Sequence, residues 1–307
     1  MSKSKALHHR NRHLGAKGAA YDLPHLSAVN PGLSPYIQTA KHGGETIDFS
    51  NDLAVKELNK SLLMAYYKVQ FWDLPEQFLC PPVPGRADYI HYLADLLQDS
   101  LGQYRGSKIK GLDIGTGANL IYPIVGHAEY DWRFVGSDID KTSVKWTKQL
   151  LDFNPNLKSA VKVRMQSNSS QIFAGIIKQT DRFAFSMCNP PFHRNAEEAE
   201  KGSRRKARNL NQQSNKLNFG GRSNELWCEG GELQFINNMV DESQMFQQQV
   251  LWFTTLVSKK EHLSAIYQQL KTVNAQQVKT IDMAQGNKVS RFVAWSFVPE
   301  SEHSNWL

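Results

Sequence analysis

Gly111-Leu112-Asp113-Ile114-Gly115-Thr116-Gly117-Ala118-Asn119 closes a short β-rich stretch that begins at Ile109, and an apolar run follows it. Such a stretch predicts a strand, a glycine turn and then a helix, with backbone free to approach a bound group closely. On either side the pattern repeats. Trp132 to Ser137, Val161 to Gln166, Phe183 to Cys188 and Val250 to Val257 read as further short strands. Helical stretches separate them, among them Glu232 to Phe246 and Lys259 to Leu270. Val278 to Ala284 and Val289 to Val298 are β-rich and flank Gln285, Gly286 and Asn287, a hairpin signal. Parallel units followed by an antiparallel hairpin predict an α/β fold with a doubly wound sheet.

Asp138 lies about twenty residues beyond the glycine turn, at the end of the second strand, where a carboxylate accepts ribose hydroxyls. A dinucleotide fingerprint needs Gly or Ala at the third glycine position, and this chain has Leu120. A tight pyrophosphate turn is therefore not supported. Asp113 close to the ligand suits a cationic group, which favours S-adenosylmethionine over NAD. Gly115, Gly117 and Asn119 complete the expected cofactor turn.

The fourth strand runs straight into Asn189-Pro190-Pro191-Phe192, at the carboxyl edge of the sheet where ligands of such folds bind. An exocyclic adenine amine is a poor nucleophile because its lone pair is delocalised into the ring. Two fixed acceptors, Asn189 Oδ1 and the Pro190 carbonyl, can hold its hydrogens and stabilise the nitrogen as it becomes tetrahedral. Consecutive prolines restrict the backbone that carries them, and Phe192 offers a face for an extruded base. This chemistry requires no metal.

The 307 residues hold thirty-six Lys and Arg against twenty-nine Asp and Glu, a net charge of +7. Met1 to Ala20 carries five basic residues and no acid, and Lys201 to Arg222 carries seven and no acid. These two segments account for +12, so the rest of the chain is mildly acidic at −5. Two acid-free basic segments on an acidic body are the footprint of a protein that neutralises a polyphosphate backbone. Arg10 and Arg12 in the first, and Arg204, Arg205, Lys206, Arg208 and Arg222 in the second, are the expected phosphate contacts, which the family resemblance given below implies are to RNA.

Composition also divides the chain. Residues 1–45 are rich in Gly, Pro, His and basic side chains without sustained periodicity, which predicts a flexible basic arm that orders on a partner, RNA by the family resemblance given below. Residues 46–104 read as a helical extension, with one helix from Asp52 to Trp72 and a second from Arg86 to Ser100. Residues 105–307 form the sheet-bearing domain, with a basic insertion at 194–222.

Several function classes fall away. No apolar run approaches the roughly 18 residues of a membrane helix. The first twenty residues hold no apolar stretch of a secretory signal, so a cytoplasmic location is expected. Cys80, Cys188 and Cys228 are too far apart for a zinc spacing or a disulfide framework, and Cys188 reads as packing rather than as a nucleophile. His8, His9 and His13 have no carboxylate or cysteine nearby in sequence, so no metal site is expected. Glu232 reads as a first-turn helix carboxylate and not as a catalytic base.

Five segments together carry a resemblance to a known family. They are His9-Arg10-Asn11-Arg12-His13, Pro84-Gly85-Arg86-Ala87-Asp88-Tyr89-Ile90-His91, Leu112-Asp113-Ile114-Gly115-Thr116-Gly117, Asn189-Pro190-Pro191-Phe192 and Gly220-Gly221-Arg222-Ser223-Asn224-Glu225-Leu226. With them the chain resembles, over nearly its whole length, the ribosomal RNA large subunit methyltransferase F family, related to methyltransferase-16-like RNA enzymes. The resemblance implies a class I, Rossmann-like methyltransferase fold with a seven-stranded sheet. It also implies S-adenosylmethionine as donor and N6 methylation of one adenine in 23S ribosomal RNA, free or in a large-subunit assembly intermediate. By the same resemblance Arg86 should reach the cofactor carboxylate. A DNA-adenine or protein-glutamine methyltransferase, or a noncatalytic ribosome-assembly factor with a cofactor pocket, are the rival readings.

Overall fold

The computed structural model describes residues 7–13, 21–40, 43–193 apart from 77, and 226–307 apart from 286 and 287, together with 195, 197 and 198. Lys201 to Arg222 lies outside the described residues.

Where described, residues 1–45 are not the flexible arm that their composition predicts. Asp22 caps a short helix, α1 (Leu23–Val29), by accepting from the His25 amide at 3.0 Å, and Pro24 sits harmlessly in its first turn. Leu23, Leu26 and Leu33 are all buried. β1 (Ile37–Thr39) then pairs antiparallel with β2 (Glu45–Ile47). Residues 8–13 pack just as firmly on the body. His8 Nε2 lies 2.8 Å from an Asp95 oxygen, and the His13 ring lies 2.8 Å from the Tyr67 hydroxyl. Asn11 donates to the Pro84 carbonyl at 2.9 Å and to Asp88. Arg10 pairs with Asp95 and lies over the Tyr104 ring, while Arg12 pairs with Glu129. The two arginines expected on RNA are thus engaged within the chain. Their partners lie 85 and 117 residues away, beyond the reach of a local reading.

α2 (Asp52–Tyr67) starts on Asn51, whose side chain accepts from the amides of Leu53 and Ala54. It stops five residues before Trp72. Lys68 adopts a left-handed conformation, φ 56°, and the Asn154 side chain holds the backbone of Gln70 and Phe71 away from a helical path. α3 (Val83–Leu101) begins three residues earlier than expected because Pro84 is tolerated in the first turn.

The body is a seven-stranded sheet. In chain order it comprises β3 (Lys110–Ile114), α4 (Ile121–Tyr130), β4 (Arg133–Asp138), α5 (Lys141–Asp152), α6 (Pro155–Lys158), β5 (Val161–Met165) and β6 (Phe183–Cys188). α7 (Gly231–Ser243), β7 (Val250–Val257), α8 (Leu263–Thr272), β8 (Gln277–Gln285) and β9 (Lys288–Ser296) complete it. The spatial order is β5-β4-β3-β6-β7-β9-β8. β3 pairs parallel with both β4 and β6, and the sequence-final strand β9 slots antiparallel between β7 and β8. This is the class I methyltransferase sheet. Neighbouring strand residues face opposite layers, as their two-residue period requires. Trp252 and Phe292 pack on the α2–α5 side, whereas Phe253 and Val293 pack on the α7–α8 side. Burial on both faces explains why the strands read as continuous apolar runs. Trp72, Trp132, Trp252 and Trp295 are core, as their apolar settings suggest.

His91 on α3 is fully buried, and it carries a pH prediction. Burial chiefly, helped by the neighbouring His8 and Arg10 charges, lowers its pKa to about 3, against 6.5 for a free ring. The folded chain keeps this ring neutral while the unfolded chain protonates it below about pH 6.5, so its contribution to stability is full above that pH and is lost as pH falls. Between pH 7 and pH 5 wild type should therefore lose about 2 kcal/mol relative to a His91→Gln variant, which cannot titrate. Urea denaturation of both proteins at the two pH values measures this. A constant gap means the ring titrates normally in the fold.

Candidate active site

The carboxyl ends of β3, β4 and β6 meet at one cleft, because their register sets Ile114 level with Ser137 and Cys188. Arg86, Gly115, Gly117, Asn119, Asp138, Asn189 and Pro191 all line it. Residues up to 105 positions apart, Arg86 and Pro191, are thereby brought together.

The glycine turn has the geometry its sequence predicts. Gly115 and Gly117 take positive φ of 70° and 62°, and a Cβ at Gly115 would stand in open space. The backbone is thus bare toward the cleft. Asp138 braces this turn by accepting from the Gly117 amide at 2.8 Å through one oxygen and from the Asp140 amide at 2.8 Å through the other. The Asn119 side chain accepts from the Ile121 amide at the start of α4, and its carbonyl accepts from the Trp72 indole. Asp113 is set back behind the turn instead of lining the cleft. It is 1% exposed, and one oxygen accepts from the Thr116 hydroxyl at 2.7 Å while the other has no partner. Burial pushes its carboxyl up to about 7, with the nearby Asp138 charge adding to the shift. Burial also raises the Asp138 carboxyl.

At the far side Asn189 Oδ1 is a buried acceptor with no hydrogen-bond partner. An orphaned acceptor at a cleft is costly unless a ligand supplies the donor. Pro190 is buried and Phe192 is half-buried, and the cleft lining includes Asn189 and Pro191 but not these two. Cys188 does reach the cleft, but burial pushes its thiol well above the usual range, so it is no thiolate nucleophile. Just beyond Phe192 the backbone closes on itself. The His193 amide donates to the Leu226 carbonyl at 3.0 Å, and the Cys228 amide donates to the His193 carbonyl at 3.1 Å. His193 and the stretch from Leu226 to Cys228 are therefore adjacent beside the tetrapeptide.

Several residues escaped the sequence reading. Tyr122, on the first turn of α4, accepts from Arg86 Nη1 at 2.8 Å and so fixes the guanidinium at the cleft edge. Gln166, Gln171, Ile172 and Phe235 form the wall beyond Asp138. Tyr122 follows a glycine turn by five positions and could have been noticed; the wall residues have no sequence signal. Glu232 accepts from the Ser258 amide and pairs with His262, which makes it a buried brace. Among the described residues no group of three His, Cys, Asp or Glu could hold a metal ion. No helix among them is long and apolar enough to cross a membrane.

Bare glycine backbone, a guanidinium at one end, a carboxylate at the tip of β4 and a wall of two glutamines, Ile172 and Phe235 beyond fit an amino-acid-bearing nucleoside such as S-adenosylmethionine. The Asp138→Ala variant should bind that compound about 1 to 3 kcal/mol more weakly, through loss of ribose hydrogen bonds. Calorimetry reads this directly, and unchanged affinity removes Asp138 from the cofactor site.

Comparisons with known proteins agree. A family described as RNA methyltransferase matches residues 1–299. The ribosomal RNA large subunit methyltransferase F of Flavobacterium johnsoniae is 54% identical over 99% of this chain and 98% of its own. That of Pectobacterium atrosepticum is 48% identical over 99% and 97%. Among solved structures, the hMettl16 catalytic domain in complex with MAT2A 3'UTR hairpin 1 superposes with a TM-score of 0.79 at 29% identity, covering 96% of each chain. The N-terminal domain of human METTL16 in complex with SAH gives 0.75 at 26% identity, covering 96% of this chain and 100% of that one.

Proposed function

With the chain a member of the RNA methyltransferase family, and its donor S-adenosylmethionine, we propose that it methylates N6 of one adenine in 23S ribosomal RNA. The observation that carries the adenine assignment is the orphaned, buried Asn189 Oδ1 at the cleft. It lacks a donor, and an exocyclic amine brings two.

In this reading Arg86, held by Tyr122, takes the donor's carboxylate, and Asp138 takes its ribose hydroxyls. Bound there, the donor supplies an electrophilic methyl group. Asn189 Oδ1 and the Pro190 carbonyl accept the two amine hydrogens, which pulls the nitrogen toward tetrahedral geometry and localises its lone pair. Phe192 stacks on the extruded base and limits its motion. As the new N–C bond forms, the methyl–sulfur bond of the donor would break to leave S-adenosylhomocysteine, and the amine proton would leave to water, so no dedicated base is needed. The insertion carrying Arg204, Arg205, Lys206, Arg208 and Arg222 supplies phosphate contacts from its point of departure beside Phe192. The substrate is 23S RNA, free or within an assembly intermediate, and the setting is the cytoplasm.

Incubation with labelled S-adenosylmethionine and, separately, ribosomal RNA, DNA and ribosomal protein fractions tests the reading. Label in N6-methyladenine of the large ribosomal RNA supports it. Label in DNA or in protein glutamine assigns the tetrapeptide to another planar amine, and label nowhere leaves a noncatalytic assembly factor.

A further inference from the structure

Glu242 stands one residue before the end of α7, where a carboxylate works against the negative end of the helix dipole. Its charge has a different use. Oε2 accepts from the Ile172 amide at 2.7 Å, while Oε1 accepts from the amides of Phe173 at 3.0 Å and Ala174 at 2.6 Å. Three successive backbone N–H groups converging on one anion form a nest, and charge-assisted bonds of this kind are the strong ones. The captured segment belongs to the loop that follows β5. Gln171 and Ile172 of that loop line the cleft, as does Phe235 from α7 itself. A second tie runs back across the loop, because Gln166 Nε2 donates to the Ala174 carbonyl at 2.9 Å. Phe173 beneath it is fully buried.

We infer that Glu242 is a positioning residue for S-adenosylmethionine: it presets the wall on the far side of Asp138, where the base of the donor lies. This deepens the cofactor reading and rests on the cleft being the donor site. Glu242 touches neither donor nor amine, so its effect is on binding and not on the methyl transfer itself. Without the carboxylate three amides lose their acceptor, the wall must be ordered at the moment of binding, and affinity falls by that cost.

The test compares wild type with Glu242→Gln, which keeps the shape but replaces one acceptor oxygen by an amide donor that the nest repels. The dissociation constants for S-adenosylmethionine and S-adenosylhomocysteine should both rise about tenfold, a change of about 1.4 kcal/mol, while kcat at saturating donor stays within about twofold. Leu26→Ala, which opens the core beneath α1 at a residue outside the cleft lining, serves as a control that lowers the melting temperature without moving either constant. If Glu242→Gln also lowers only the melting temperature, Glu242 is a stability residue and the inference fails. Amide hydrogen exchange on the unliganded wild type decides the matter even if that variant does not fold. Slow exchange at Ile172, Phe173 and Ala174 before donor is added supports a preset wall, and exchange that slows only on donor binding overturns it. A wild type that binds no donor at all overturns the cofactor reading instead.

Discussion

Turnover in the Asn189→Ala variant should fall by about a hundredfold or more, with S-adenosylmethionine affinity nearly unchanged. The missing acceptor is most valuable when the amine nitrogen is becoming tetrahedral, so its removal weighs on the transition state more than on either bound substrate. Relief of a buried, unpartnered oxygen in the unliganded protein makes the variant at least as stable as wild type. That separates a catalytic loss from a folding loss. Single-turnover kinetics with saturating donor and RNA, beside a thermal melt, measures both, and wild-type turnover would remove Asn189 from catalysis.

The second large effect concerns RNA. Changing Arg204, Arg205, Lys206 and Arg208 together to Ser should weaken RNA binding at low salt by about tenfold or more, and flatten the log-log salt slope by roughly 0.7 for each single-strand phosphate that is no longer neutralised. Donor affinity should not move, since the groups read as holding the donor are Arg86, the glycine turn and Asp138. With Arg10 and Arg12 paired to Asp95 and Glu129, the insertion should carry more of the electrostatic load than an even division between the two basic segments predicts. Filter binding across a salt series reads affinity and slope together. If both stay at wild-type values, the RNA is held elsewhere.

What was legible in the sequence was what short-range chemistry dictates. The strands stand out because both their faces are buried, the glycine turn because Gly115 and Gly117 need positive φ, and the tetrapeptide because its order is itself the chemistry. Asp138 could be placed because its distance from the turn is a property of the strand-helix-strand unit. What stayed hidden depends on partners distant along the chain. Leu23, Leu26 and Leu33 sit among glycines, prolines and histidines with no period to reveal them, yet each is buried. α2 ends where it does because of Asn154, more than eighty positions on. Glu242 looks like any helix carboxylate until the loop 70 residues before it is seen folded against it.

The order of strands has a consequence for how the protein is made. β9 lies between β7 and β8 although it is the last of the three to be synthesised, so β8 has no neighbour to pair with until β9, from Lys288 onward, has left the ribosome. Trp306 comes later still, and its indole N–H donates to the Phe183 carbonyl on the central strand β6 at 2.8 Å. Strands β3 to β6 can assemble during translation, at some 5–20 residues per second, but the far half of the sheet waits with an open edge at β7. For a protein whose proposed substrate is itself ribosomal RNA, the nascent chain is thus confined beside such RNA throughout the interval in which its own sheet is unfinished.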